Sequence, residues 1–79
     1  FVMRTMIELK ITEDVQEFVN AASKCPFEID LQSGAVYLDA KSLLGVLTMG
    51  VNRRLQVLIE GDNNEIDAFH QTIQKFAIA

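Results

Sequence analysis

Phe27-Glu28-Ile29-Asp30-Leu31-Gln32-Ser33-Gly34-Ala35-Val36-Tyr37-Leu38-Asp39 consists of two alternating runs joined by a turn. Phe27, Ile29 and Leu31 fall on one side of an extended chain, and Glu28, Asp30 and Gln32 fall on the other. That is the pattern of a sheet with one wet face. Ser33-Gly34 turns the chain, and Val36 and Leu38 then alternate with Tyr37 and Asp39, which predicts the second strand of a hairpin. A hairpin with one apolar face must bury that face against another layer.

The flanking sequence supplies that layer. Upstream, Phe1, Met3, Ile7 and Leu9 alternate with Val2, Arg4, Met6 and Glu8, an imperfect period of two that predicts a first strand. Thr12 is the expected helix cap, with Glu13 and Asp14 complementing the helix dipole in the first turn. Val15, Phe18, Val19 and Ala22 then share one helical face, and Pro26 marks the stop. Downstream, Ser42 opens a short helix that runs to about Thr48, with Gly50 as its C-terminal cap. Leu55, Val57 and Ile59 alternate with Gln56, Leu58 and Glu60 as the last strand. Gly61-Asp62-Asn63-Asn64 is a loop ending in the cap of a final helix, whose stripe is Ile66, Phe69, Ile73 and Phe76.

The order is therefore β-α-β-β-α-β-α. Periodicity predicts a two-layer α+β domain, an antiparallel sheet with helices on one face, and leaves strand order open. Phe18, Ile29, Leu31, Val57, Ile59, Phe69 and Ile73 are the expected core.

A chain of 79 residues has room for one domain, 1–79, and 49% apolar residues suit a folded globule. A net charge of −4 argues against nucleic acid or an anionic membrane as partner. The lone Cys25 cannot form an internal disulfide, which fits a reducing cytoplasm. No apolar run approaches the roughly 18 residues of a membrane span, and signal-peptide architecture is missing. The start at Phe1 rather than Met suggests a trimmed end.

Few residues carry chemistry. His70, the only histidine, lies beside the apolar stripe of the final helix with no Arg, Ser or Cys near it in sequence, and reads as a helix-surface residue. Cys25 follows the first helix at the edge of the core, and Lys24 alone gives weak support for a reactive thiol. One His and one Cys far apart make no metal site, and no glycine-rich phosphate loop or nucleophile elbow is present. Ser42 is a favoured N-cap. Leu43, Leu44, Val46 and Leu47 cannot all share the buried face of so short a helix, so at least one leucine should reach the surface. Arg53 and Arg54 form a basic pair in the turn before the last strand.

The segment Asp39-Ala40-Lys41-Ser42-Leu43-Leu44-Gly45-Val46-Leu47-Thr48-Met49-Gly50-Val51 closely resembles the regulatory-serine segment of HPr, the histidine phosphocarrier of the bacterial sugar phosphotransferase system. Ala22-Ser23-Lys24 matches that family's Ala-Ser-Lys at the same spacing to the serine. The resemblance covers nearly the whole chain and implies an open-faced β-sandwich with four strands and three helices. It also implies a signature Gly-Ile-His-Ala-Arg-Pro near residues 9–14, where this chain reads Leu9-Lys10-Ile11-Thr12-Glu13-Asp14. Counting back from Ala22-Ser23-Lys24, the family's histidine falls at Ile11. Aligning the first strand by its apolar face moves it to Lys10. The family's Arg and Pro fall at Glu13 and Asp14, two carboxylates where a phosphate would need cations.

By the same resemblance, Ser42 matches a serine that a dedicated kinase phosphorylates in many members, with Lys41 adjoining it. Leu43, Leu44 and Leu47 match an apolar patch that docks enzyme I, the sugar permeases and, in some bacteria, a catabolite-control repressor. The expectation is a noncatalytic, cytoplasmic, protein-binding or regulatory module, not an enzyme, with no cofactor or metal. Its oligomeric state is not legible. A divergent carrier with a displaced acceptor such as His70 and a fold-only relative serving in assembly are the alternatives.

Overall fold

The structure, a computed structural model, describes residues 2–78. Phe1, expected on the inner face of the first strand, lies outside the described residues. The elements are β1 (Val2–Leu9), α1 (Thr12–Ser23), β2 (Ile29–Ser33), β3 (Val36–Asp39), α2 (Leu43–Met49), β4 (Arg53–Glu60) and α3 (Asn63–Thr72), with a 3-10 turn over Gln74–Phe76. The four strands lie in the order β1-β4-β2-β3, every neighbouring pair antiparallel. The helices cover one face of this sheet, as the alternation requires.

The core forms between the layers. Ile7, Leu9, Ile29, Leu31, Leu55, Val57 and Ile59 from the sheet meet Val15, Phe18, Ala22, Ile66 and Phe69 from the helices and Ile73 just beyond α3, all of them buried. All seven residues expected inside are there. Phe18 stands at the centre, edge-on to Phe69 at 6.1 Å and to Phe76 at 6.3 Å, the geometry that ring quadrupoles favour. Gly34 adopts φ +59 and leads the hairpin turn Gly34-Ala35, a left-handed conformation that costs any residue with a Cβ.

Several local expectations need correction. Strand β2 begins at Ile29 rather than Phe27; Phe27 sits half-buried in the preceding loop and packs edge-on against Phe69 at 6.4 Å. Thr12 is the first residue of α1, not its cap. The capping position is Ile11, whose side chain has no polar atom to offer. The cap of α3 is Asp62, which accepts from the Asn64 amide at 2.9 Å, and the helix begins at Asn63. The last apolar stripe is split, because α3 ends at Thr72 and a separate 3-10 turn carries Phe76 inward. Val36 has the inward phase, yet it is 54% exposed, because β3 is an edge strand and Val36 borders an open groove that it shares with Thr48, Met49 and Arg53. Arg53 and Arg54 open β4 instead of lying in a turn. They alternate, opposite Leu9 and Glu8 respectively, and so point to opposite faces.

Candidate functional site

The loop between β1 and α1 is the place where the sequence resemblance expects a phosphate acceptor. Lys10, Ile11, Thr12 and Glu13 are all exposed there, Ile11 to 52%. Asp14 turns back over the loop. Its Oδ2 accepts from the Lys10 amide at 3.0 Å and from the Ile11 amide at 3.4 Å. This is half of a capping box: the residue in the first turn reaches back to the chain before the helix, while the reciprocal bond is missing because Ile11 is apolar. A second loop is pinned alongside, since the Asn52 amide donates to the Leu9 carbonyl at 2.7 Å. Asn52 holds φ 63, a left-handed conformation that asparagine tolerates better than most residues.

Ser42 caps α2 as expected. Its Oγ accepts from the Gly45 amide at 3.2 Å, and the Gly50 amide closes the other end on the Leu47 carbonyl at φ 86. A Cβ on residue 45 would lie 3.0 Å from the Ser42 hydroxyl, so the glycine makes room for the cap. Lys41 does not attend Ser42. Its ammonium donates to the Cys25 carbonyl at 2.8 Å and is committed to the α1–β2 connection. The three leucines of α2 separate clearly. Leu44 is 77% exposed, Leu43 is exposed, Leu47 is half-buried against the core, and Val46 is the fully buried member.

His70 is half-buried in the last turn of α3, with Nε2 2.9 Å from the side-chain nitrogen of Gln74. Cys25 is half-buried, and its thiol donates to the Ala21 carbonyl at 3.5 Å. Burial pushes that thiol above the ordinary cysteine range; Lys41 pulls it back and Glu65 adds to the rise. Among the described residues, no group of three or more His, Cys, Asp and Glu side chains could hold a metal ion, and no helix is long and apolar enough to cross a membrane.

The structure thus brings Lys10, Ile11, Glu13 and Asp14 to one helix start, and it brings Ser42, Leu43 and Leu44 to another. His70 stands apart on α3. Sequence reasoning missed the reach of Asp14 to the loop amides. An acidic residue three positions after Ile11, the capping position, was the available signal.

Comparison with known proteins adds to this geometry. The sequence profile described as "PTS HPr component phosphorylation site" matches residues 14–78. The fold superposes on HPr-C-His from Thermoanaerobacter tengcongensis with a TM-score of 0.69 and 27% identity, covering 92% of each chain. It also superposes on the phosphocarrier protein HPr from Bacillus anthracis str. Ames with a TM-score of 0.70 and 15% identity, covering 92% of this chain and 98% of the other, a likeness of fold alone. No curated protein matches. The profile match spans most of the chain, including the Ser42 helix and the whole sheet beyond β1: this protein belongs to the HPr family.

Proposed function

We propose that this chain is a noncatalytic, protein-binding member of the HPr family that does not carry phosphate on the β1–α1 loop. The observation that carries the reading is Asp14. Its carboxylate already accepts from the two amides before α1, and the loop Lys10–Glu13 offers no imidazole. An incoming phosphate would meet Glu13 and Asp14 as like charges at the helix end that should stabilise it. The docking surface is α2, where Leu43 and Leu44 stand in solvent on a helix held by a cap at each end. The partner is a protein, and the setting is the cytoplasm.

Incubation with enzyme I and phosphoenolpyruvate tests the carrier half. The expected outcome is no acid-labile phosphate on the wild-type chain, and none on Ile11→His, because both carboxylates remain. Phosphate on the wild type would overturn the reading. Affinity capture tests the docking half: Leu44→Asp should abolish recovery of a specific partner while leaving the fold intact. Ser42, exposed beside those leucines, is the residue on which the proposal places a regulatory phosphate. Intact-mass measurement after exposure to the family's serine kinase, with Ser42→Ala as control, checks it.

A further inference from the structure

The two edges of the sheet are guarded unequally. At the β1 edge, the chain's last turn folds back as a cover: Ala77 bridges Ile7, and the Ile78 amide donates to the Met6 carbonyl at 3.1 Å. That strand also carries Arg4 and Glu8. At the opposite edge, the outer side of β3 has no partner among the described residues. Its sequence Val36-Tyr37-Leu38-Asp39 holds neither lysine nor proline, the usual guards of an open edge, and Val36 and Tyr37 are 54% and 59% exposed.

The ladder tells which backbone groups of β3 face outward. The Ala40 amide donates to the Ile29 carbonyl at 2.9 Å, and pairing continues as Leu38 opposite Leu31 and Val36 opposite Ser33. In an antiparallel ladder, bonded and non-bonded pairs alternate, so Tyr37 and Asp39 occupy the non-bonded positions and direct their amides and carbonyls away from β2. The Asp39 carbonyl already accepts from the Ser42 amide at 3.1 Å. Tyr37 therefore presents one donor and one acceptor at the middle of an apolar edge.

We propose that a second copy of this chain covers this edge, pairing β3 with β3 antiparallel about a two-fold axis at Tyr37. Outward-facing residues must meet outward-facing residues, and Tyr37 on the axis satisfies that rule with itself: each Tyr37 amide donates to the other's carbonyl. The same register sets Val36 of each copy against Leu38 of the other on the helix side of the sheet and stacks the two tyrosine rings on the uncovered side. Both contacts are apolar on apolar, so the patch is self-complementary, as an isologous interface requires. Charge agrees with the antiparallel sense. Asp30 and Asp39 lie directly opposite each other at one end of the hairpin, while Arg53 and Arg54 lie toward the other. The two-fold turns the acidic end of one copy toward the end of its mate that carries Arg53 and Arg54, two strands in from the edge on β4, and keeps the two acidic ends apart. A four-residue edge buries little area, so the dimer is a weak one that forms by mass action. It joins the two sheets into one and leaves the exposed Leu44 of both copies available, which gives the α2 surface two valencies.

Sedimentation equilibrium over a wide range of chain concentration tests the proposal, alongside amide chemical shifts of the same samples. The weight-average mass should rise from 8.9 kDa toward twice that value, with concentration-dependent shifts at Val36–Asp39. Tyr37→Lys should hold the mass at one chain without altering the circular dichroism spectrum. Tyr37→Pro removes the outward amide while sparing the bonds to β2, and should do the same. Should either variant lose structure, the other and the wild-type shift map still decide. A single-chain mass at every concentration overturns the proposal. So does a dimer that survives Tyr37→Lys, or one abolished by Leu44→Asp instead.

Discussion

Single side chains set the ends of the elements, and their contributions are separable. Ser42 is the sole side-chain cap of α2, so Ser42→Ala should cost about 1 kcal/mol in chemical denaturation, and Ser42→Asp should cost less because aspartate also caps and complements the dipole. Asp14 performs the same kind of task from inside α1. Asp14→Ala should release the Lys10 and Ile11 amides, seen as faster hydrogen exchange at those two positions, with a loss of about 1 kcal/mol. Cys25 illustrates burial against charge. With its thiol held above the ordinary range, alkylation at mildly alkaline pH should run slower than for a free cysteine, and its pH–rate midpoint should lie higher. Lys41→Ala should move that midpoint up further, since the ammonium is the influence that lowers it.

At the scale of elements, the hairpin and α2 answer to different rules. Gly34→Val forces a β-branched residue into φ +59 and should cost about 1–2 kcal/mol, read as a lower thermal midpoint, even though the space around the position is open. By contrast, Leu44→Asp should leave stability within about 0.5 kcal/mol of wild type, because the side chain stands in water. Alternation and helical spacing made every strand and helix legible in the sequence, together with the Ser42 and Gly50 caps, because burial on one face writes its period directly into the residues. What it could not express was context. Phe27 has the phase of a strand residue but is drawn into the loop by Phe69, a partner far along the chain. Val36 has the phase of a core residue, and only the strand order reveals that it stands on an edge strand. Lys41 adjoins Ser42 in sequence, yet its ammonium goes to the Cys25 carbonyl. The loop before α1 was legible as lacking an imidazole, whereas the bond from Asp14 needed coordinates.

For the molecule as a whole, one core between two layers carries the stability. Phe18→Ala removes the ring that touches both Phe69 and Phe76 and should cost about 3–5 kcal/mol, a large part of what a domain of this size has in reserve. Equilibrium unfolding monitored by circular dichroism measures it. The strand order has a further consequence, for the order of events during synthesis. Strand β1 is made well before its ladder partner β4, in which Glu60 faces Val2, and before Ala77, its outer cover. Until β4 has emerged, the apolar face of β1 can rest on α1, but its backbone has no strand to pair with. The helix α1 and the β2–β3 hairpin, whose contacts are local, can form long before, because short loops close at less entropic cost than long ones. A nascent chain stalled before Arg53 would hold a finished hairpin and helix beside an orphaned strand, the arrangement most exposed to mispairing on a crowded ribosome.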